Sequence, residues 1–130
     1  MQLHEFLNQV QHSGNLSSQD AVLNATRATL VTLAERLRGN EPNHLAAQLP
    51  QGLEEFLQGE SAGKGERFGF DEFMRRVCDR EGVDLDTATV HARAVLGTIA
   101  EAIDSGELED ARQQLPKDIK QLLNEAAGQQ

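Results

Sequence analysis

The chain has 130 residues, with 21 acidic against 12 basic side chains and a formal net charge of −9. Nucleic acids and anionic membranes are bound through clustered Lys and Arg, so we expect neither as a partner. The length is typical of one domain that holds its own core, and the 4% aromatic content favours packed helices over sheets. The single cysteine, Cys78, excludes a disulfide framework. Because no signal sequence or membrane-spanning apolar run is evident, we expect a cytoplasmic protein.

The apolar spacing in the first half of the chain predicts four helices. Residues 3–12 form an amphipathic helix that Gly14 ends. A long second helix follows from an N-cap at Ser17 to about residue 38. Two short helices then begin at prolines, the third at Pro42 and the fourth at Pro50.

A Gly-rich segment, residues 59–69, separates these helices from a second set in the same order. It contains four glycines and little apolar pattern, so we expect a flexible connector. In the second set Asp84 caps the long helix, and Gly106 ends it as Gly39 ends the first long helix. Another proline begins the last helix, and residues 125–130 are expected to fray.

Residue identities at a nearly constant offset indicate that the two sets are tandem copies of one unit. The matching segments are Glu5-Phe6-xxx-Val10 with Glu72-Phe73-xxx-Val77 at an offset of 67, and Arg27-Ala28-x-Leu30 with Arg93-Ala94-x-Leu96 and Gln48-Leu49-Pro50 with Gln114-Leu115-Pro116 at 66. We predict a single domain over residues 1–130, with repeat 1 at about 3–58 and repeat 2 at about 70–124. Because a half of this size buries little surface alone, the two long helices should pack together as a shared core.

The segment Arg93-Ala94-Val95-Leu96, both Gln-Leu-Pro turns and both Glu-Phe-xxx-Val openings resemble the bacterial domain of unknown function 2267 family. The resemblance covers about residues 3–124, and the first copy departs from it with Thr29 in place of Val95. It implies a compact all-α bacterial protein, compatible with a globin-like orthogonal arrangement. We therefore predict one orthogonal bundle of about eight helices, two long and six short. The resemblance implies no activity and carries no functional residue onto this chain.

The motifs that could carry chemistry are incomplete. Gly59-xxx-Gly63-Lys64-Gly65 lacks the spacing, the Ser or Thr and the preceding strand of a P-loop, so it is interpreted as a linker. No two of the four histidines lie three or four residues apart, although a metal site built across helices stays open. Cys78 has no nearby histidine to act as a base, and acid pairs such as Glu107-Glu109 belong to helix first turns. We predict no catalytic residue, no metal ligand and no cofactor.

Arg27 and Arg93 occupy equivalent places in the two copies, mid-helix beside the apolar stripe. In the structural interpretation each aliphatic stem is buried and each guanidinium is bonded to a helix-end carbonyl or a carboxylate, with Glu5 and Glu72 as matched acceptors. In the functional interpretation the two arginines clamp an anion. We expect the structural role, with both side chains substantially buried, because functional residues usually diverge between copies whereas structural residues are kept in both.

The sequence alone does not identify a function, and three classes stay open. An acidic helical chain without a catalytic constellation or cofactor motif favours a non-catalytic cytosolic interaction or regulatory module, with another protein as its partner. The first alternative is a small-ligand or anion-binding helical domain that uses Arg27 and Arg93. The second alternative is an enzyme of unknown type, which would need a pocket with at least two convergent titratable groups.

Overall fold

The computed structural model describes the backbone of residues 1–128 and the side chains of residues 1–124. Within that part the chain is all-α, with one isolated bridge between Arg38 and Lys64 and no strand. The helices are α1 Leu3–Gly14, α2 Gln19–Arg36, α3 Glu41–Gln48, a 3-10 helix Glu54–Leu57, α4 Phe70–Glu81, α5 Leu85–Ala102, α6 Ser105–Gln113 and α7 Lys117–Gly128. This confirms the predicted all-α bundle, and the orthogonal, globin-like arrangement stays a prediction. Of the residues expected to fray, 125–128 continue α7, and residues 129 and 130 lie outside the described part.

The two long helices, α2 and α5, have 18 residues each and pack against each other, as the sequence predicts. Buried apolar side chains from all eight helical elements join in one core around them. Among the described residues, no helix combines the length and the apolar character that crossing a bilayer requires.

The first helix of each half packs mainly on the long helix of the other half. α1 packs more extensively on α5 than on α2, and α4 packs more extensively on α2 than on α5. The two halves are therefore interleaved, and each covers its long helix with an element of the other.

The glutamines of the two Gln-Leu-Pro turns make reciprocal hydrogen bonds. Gln48 Oε1 accepts from the backbone N–H of Asp104 at 2.8 Å, and Gln114 Oε1 accepts from the backbone N–H of Arg38 at 2.7 Å. Asp104 and Arg38 each follow the end of a long helix and are 66 residues apart, like the two glutamines. Two copies related by a twofold would exchange bonds in this way. The division into repeats, connector and single domain stays a prediction.

The first helix ends differently from the prediction. Its C-cap is Asn15, which adopts the left-handed conformation with φ 54°, whereas Gly14 is the last helical residue. Gly14 is buried, and a Cβ atom on it would lie 3.3 Å from the Cβ of Ala94 on α5. The glycine is therefore required for close packing of α1 on α5, which the sequence alone does not distinguish from a cap.

The N-cap of α2 is also one residue later than predicted. Ser18, not Ser17, accepts the Ala21 N–H through its hydroxyl at 3.1 Å. The predicted cap of α5 is confirmed, because the Asp84 carboxylate accepts the Thr87 N–H at 2.8 Å.

Both long helices end before the predicted glycines. α2 ends at an extended Leu37 and α5 at an extended Ile103, and both aliphatic side chains are buried. Burial of these two side chains takes the backbone out of the helix before Gly39 and Gly106 are reached.

The prediction of a helix that starts at Pro50 is wrong in both the starting residue and the helix type. Gly52 has a φ of 113°, which no α-helix contains, so helical geometry begins only at Glu54 and lasts for one short 3-10 segment.

The connector at residues 59–69 is anchored at residues 63–66, contrary to the flexibility expected from its glycines. Its amides donate to carbonyls at the end of α2, where a helix leaves its last carbonyls without intrahelical donors. The pairs are Gly63 to Ala34, Gly65 to Leu37 and Glu66 to Glu35, at 2.9, 3.0 and 3.0 Å. The glycines that superficially suggest a P-loop therefore bind a helix end.

Gly63→Ala should lower the free energy of unfolding by about 2 kcal/mol or more, because a non-glycine residue is strained in the left-handed region. Gly63 has a φ of 80°, and an added Cβ would lie 2.4 Å from the Gly39 carbonyl oxygen. Gly59→Ala is the matched control, since nothing lies within 4 Å of its Cβ position. Urea denaturation followed by circular dichroism measures both. Equal midpoints for the two variants would show that the connector is not anchored at Gly63.

Candidate functional site

A buried carboxylate joins α2 to α4. Glu35 on α2 is 6% exposed, and Arg80 on α4 binds it through two parallel bonds, Nη1 to Oε1 at 2.8 Å and Nη2 to Oε2 at 2.7 Å. Arg76, one turn earlier on α4, donates to the same Oε1 at 3.0 Å. Such two-pronged arginine pairs are the strongest charged hydrogen bonds in proteins. We call Glu35, Arg76 and Arg80 the Glu35 cluster.

Neighbouring groups complete the hydrogen bonding of the Glu35 cluster. Arg76 also donates to Glu72 at 2.8 Å and to Glu66 at 3.2 Å, and its guanidinium carbon lies 4.0 Å from the centre of the Phe68 ring. The Arg80 Nη1 also donates to the hydroxyl of Thr32 at 2.8 Å. Both guanidiniums are therefore bound inside the chain.

The electrostatics of Glu35 favour a permanent negative charge. Its burial favours the neutral acid, but hydrogen bonds and charges from Arg80 and Arg76 outweigh burial and hold the pKa of Glu35 below its ordinary value of 4.5. A cleft of about 310 Å³ borders this pair and is otherwise lined by Val31, Ala34, Phe56 and residues 59–62. A carboxylate that is ionised and paired with two arginines is not poised to transfer a proton at neutral pH.

Arginines line a second, smaller cleft. Arg36, Arg38 and Arg67 surround about 200 Å³ together with Gly65, Gln113 and Gln114, and none of the described residues in its lining is acidic. Burial lowers the pKa of Arg36, and the positive charges of Arg67 and Arg38 lower it further. We call this the arginine cleft. Its like charges repel each other, and an anion between them would relieve that repulsion.

The donors of the arginine cleft are only partly used within the described residues. Arg36 Nε donates to the Phe68 carbonyl at 3.1 Å. Arg38 and Arg67 are exposed, and the bonds at Arg38 are made by its backbone: its N–H donates to Gln114, and its carbonyl accepts from the Glu41 N–H. The three side chains come from α2, the residue pair after it and the connector, so only the folded chain brings them together.

The two arginines selected from the sequence lie in different environments. Arg27 is partly buried and donates through Nη2 to Asn24 Oδ1 at 2.6 Å and to the Arg80 carbonyl at 3.2 Å near the end of α4. Arg93 is exposed, so the expectation that both are substantially buried is wrong for Arg93. The expected bond to a helix-end carbonyl is present for Arg27, but at the end of α4 and not at a Leu-Pro break. The carboxylate acceptors suggested for it are wrong, because Glu72 binds Arg75 and Arg76, and Glu5 accepts from the Gln2 N–H. Neither Arg27 nor Arg93 lines the arginine cleft.

A buried histidine and carboxylate meet where α4 packs on α5. His91 Nδ1 contacts the Glu81 carboxylate, and both side chains are almost fully buried. The pair ties the end of α4 to α5, and the Glu81 carbonyl also accepts from Asn24 Nδ2 at 2.7 Å. His91 matches Ala25 of the first copy, so this contact belongs to the second half alone.

The thiol of Cys78 has a structural environment. It is half-buried and donates to the Val83 carbonyl at 2.8 Å. A thiol bound in this way has a structural role, and the sequence places no histidine near Cys78 to act as a base.

Two acidic first turns face each other where α3 meets α6. Ligand atoms of Glu41, His44 and Glu107 all lie within 4.8 Å of one another, and these residue types bind metal ions. Burial raises the pKa of Glu41 to about 7, and a hydrogen bond with the Glu107 side chain and the charges of Glu107 and Asp110 add to the increase. We call these four residues the α3–α6 cluster.

The sequence could have revealed one of these sites. Glu107 is the match of Glu41 at the offset of 66, and Asp110 is the match of His44, so the α3–α6 cluster contains two equivalent i, i+3 pairs. Acidic residues at equivalent positions of the two copies are therefore the sequence signal for this cluster, whereas the spacing of histidines along one helix does not indicate it. The Glu35 cluster and the arginine cleft depend on packing between distant segments, and no local pattern indicates them.

These features define a small all-α protein with buried charged side chains at several contacts between its helices. The chain belongs to the family described as uncharacterized conserved protein (DUF2267), whose model matches residues 3–122. No curated protein matches this chain.

Glu35→Gln should lower the free energy of unfolding by about 3 kcal/mol at neutral pH, because two partly buried arginines lose their shared counter-charge. The folded pKa of Glu35 is depressed, so its charge stabilises the fold above its ordinary value of 4.5, and this contribution is lost as the pH falls through the folded pKa. The difference between wild type and variant should therefore shrink in acid.

Urea midpoints at neutral and acidic pH test this expectation. Glu55→Gln removes an exposed carboxylate and should change stability by no more than about 0.5 kcal/mol. A Glu35→Gln midpoint equal to that of wild type at neutral pH would rule out a stabilising role for the cluster.

Proposed function

We propose that this protein is a non-catalytic binding module, and that the arginine cleft binds a small anion. The observation that carries the proposal is the convergence of Arg36, Arg38 and Arg67 on one cleft whose described lining holds no acidic residue. Because the chain has a net charge of −9, a cleft lined by three arginines and no described acid is locally positive on an otherwise negative protein.

The shape and chemistry of the arginine cleft favour a compact, oxygen-rich ligand. Its volume of about 200 Å³ lies below the range of about 300–1,000 Å³ that drug-sized ligands occupy. Guanidinium groups match the oxygens of phosphate and carboxylate groups in geometry and charge. The side-chain amides of Gln113 and Gln114 add polar groups to the lining. The ligand class is thus a free phosphate or a small phosphorylated or dicarboxylate compound.

A non-catalytic module that binds an anion combines two of the function classes expected from the sequence, but its site differs from the one expected at Arg27 and Arg93. Anion binding by Arg27 and Arg93 has less support, because Arg27 already donates to Asn24 and to the Arg80 carbonyl. An enzyme also has less support, since the carboxylate beside the larger cleft, Glu35, is committed to two arginines. We place the module in the cytoplasm of a bacterium, following the family resemblance and the single, half-buried cysteine.

A protein partner is the second candidate, supported by exposed apolar residues near the end of α4. Leu23 and Val90 are 41% and 50% exposed, and their sequence neighbours Asn24 and His91 both contact Glu81. Acidic side chains at Asp79 and Asp86 accompany them, which suits a basic partner surface. Capture of such a partner should be lost in a Leu23→Ser, Val90→Ser variant.

Inorganic phosphate at low ionic strength should bind the full chain saturably at one site. In amide NMR spectra the shifts should concentrate at Gly65, Gln113 and Gln114. Arg67→Gln should weaken binding by about tenfold or more, because it removes a charge-assisted contact worth about 1.5–3 kcal/mol. Succinate, titrated in parallel, distinguishes a carboxylate ligand from a phosphate.

Arg75→Gln is the matched control for this titration. Arg75 is exposed and pairs with Glu72, and its replacement changes the net charge from −9 to −10, as Arg67→Gln does. Binding should survive the control. Shifts that never saturate, or an equal loss in both variants, would refute a site at the arginine cleft.

A further inference from the structure

The α3–α6 cluster brings together one ligand pair from each half of the chain. Glu41 and His44 lie three residues apart in α3, and Glu107 and Asp110 lie three residues apart in α6. Residues at this spacing face the same side of a helix. Because α3 and α6 contact each other, the two pairs meet between the halves.

Both glutamates of this cluster have a buried carboxylate oxygen without a hydrogen-bond donor. The Glu41 side chain is only 9% exposed, and its Oε2 has no hydrogen-bond donor. The Oε2 of Glu107 is buried and has no donor either. A buried carboxylate oxygen without a donor or counter-charge is costly, and two such groups facing each other also repel.

Neighbouring residues offset the cost of burying these two carboxylates only in part. The ion pair described at Glu41 is with His44, whose Nδ1 lies 4.0 Å from Oε1, beyond hydrogen-bonding distance. Both acids lie in the first turn of a helix, where the dipole favours negative charge but supplies no donor to the two orphaned oxygens. A cation would satisfy both oxygens at once.

We propose that Glu41, His44 and Glu107 bind a divalent transition-metal ion of the zinc class, and so link α3 to α6. Two carboxylates and one imidazole suit such an ion, whereas Mg²⁺ and Ca²⁺ prefer oxygen ligands alone. This site is separate from the arginine cleft and does not depend on anion binding there.

The geometry is compatible with this assignment after a small adjustment. Ligands at zinc distances of about 2.1 Å in a tetrahedron lie about 3.4 Å apart, so atoms now within 4.8 Å must approach by up to about 1.4 Å. The His44 side chain is 62% exposed, which leaves its ring free to turn toward the ion. Asp110 is exposed and close enough to influence Glu41, so it can strengthen the field at the site.

The test is a calorimetric titration of the full chain, without a histidine tag, with Zn²⁺ at neutral pH. Wild type should bind one Zn²⁺, and binding should raise the thermal midpoint. Glu41→Gln and His44→Gln should each weaken binding by at least about tenfold, as the loss of a metal ligand requires. Mg²⁺ titrated in the same way should give no saturable binding.

Two control variants separate this site from non-specific uptake. Glu109→Gln removes an exposed carboxylate two residues from Glu107, and His12→Gln removes an exposed histidine elsewhere, so both should bind Zn²⁺ like wild type. Glu41→Gln should keep the circular dichroism spectrum of the wild type, because it removes a repulsive charge. Equal Zn²⁺ binding by all variants, no saturable Zn²⁺ binding by wild type, or Mg²⁺ binding of equal strength would overturn the proposal.

Discussion

The buried carboxylate of Glu35 is neutralised by the arginines that pack on it, and this charge compensation governs the α2–α4 interface. Both neutralising residues, Arg76 and Arg80, lie on α4, so charge compensation holds the first helix of the second half on the long helix of the first. The connector, residues 59–69, also binds the Glu35 cluster. Glu66 binds Arg76 through its carboxylate and the Glu35 carbonyl through its amide. Three segments thus depend on one buried charge.

The equivalent interface on the other side of the bundle uses different chemistry. Where α1 packs on α5, Gly14 brings the backbone of α1 against Ala94. The residue that matches Glu35 there is Glu101, which is exposed, so the described part of this interface has no counterpart of the Glu35 cluster. Close packing at Gly14 therefore holds α1 on α5, whereas ion pairs hold α4 on α2. The Glu35 cluster makes the α2–α4 interface sensitive to acid, since its carboxylate must stay ionised to bind both arginines.

Much of the fold could be predicted because its signals are local. Apolar periodicity located the helices, and the offset of 66 located the equivalent turns, including the glutamines that exchange hydrogen bonds. Helix ends were less predictable, because a glycine can serve packing, as Gly14 does, instead of a cap. The sites were missed where side chains from distant segments meet. The net charge of −9 also conceals the local positive charge of the arginine cleft, because a total charge does not show where in the fold the charged residues lie.

The Glu35–Arg80 pair holds α4 on α2. A double-mutant cycle measures the coupling between these two side chains directly. Glu35→Gln, Arg80→Met and the double variant are unfolded in urea at neutral pH beside wild type. The account predicts that the double variant loses less stability than the two single variants together, with a coupling energy of about 2 kcal/mol. Losses that add to within about 0.5 kcal/mol would contradict it, because independent sites behave in that way.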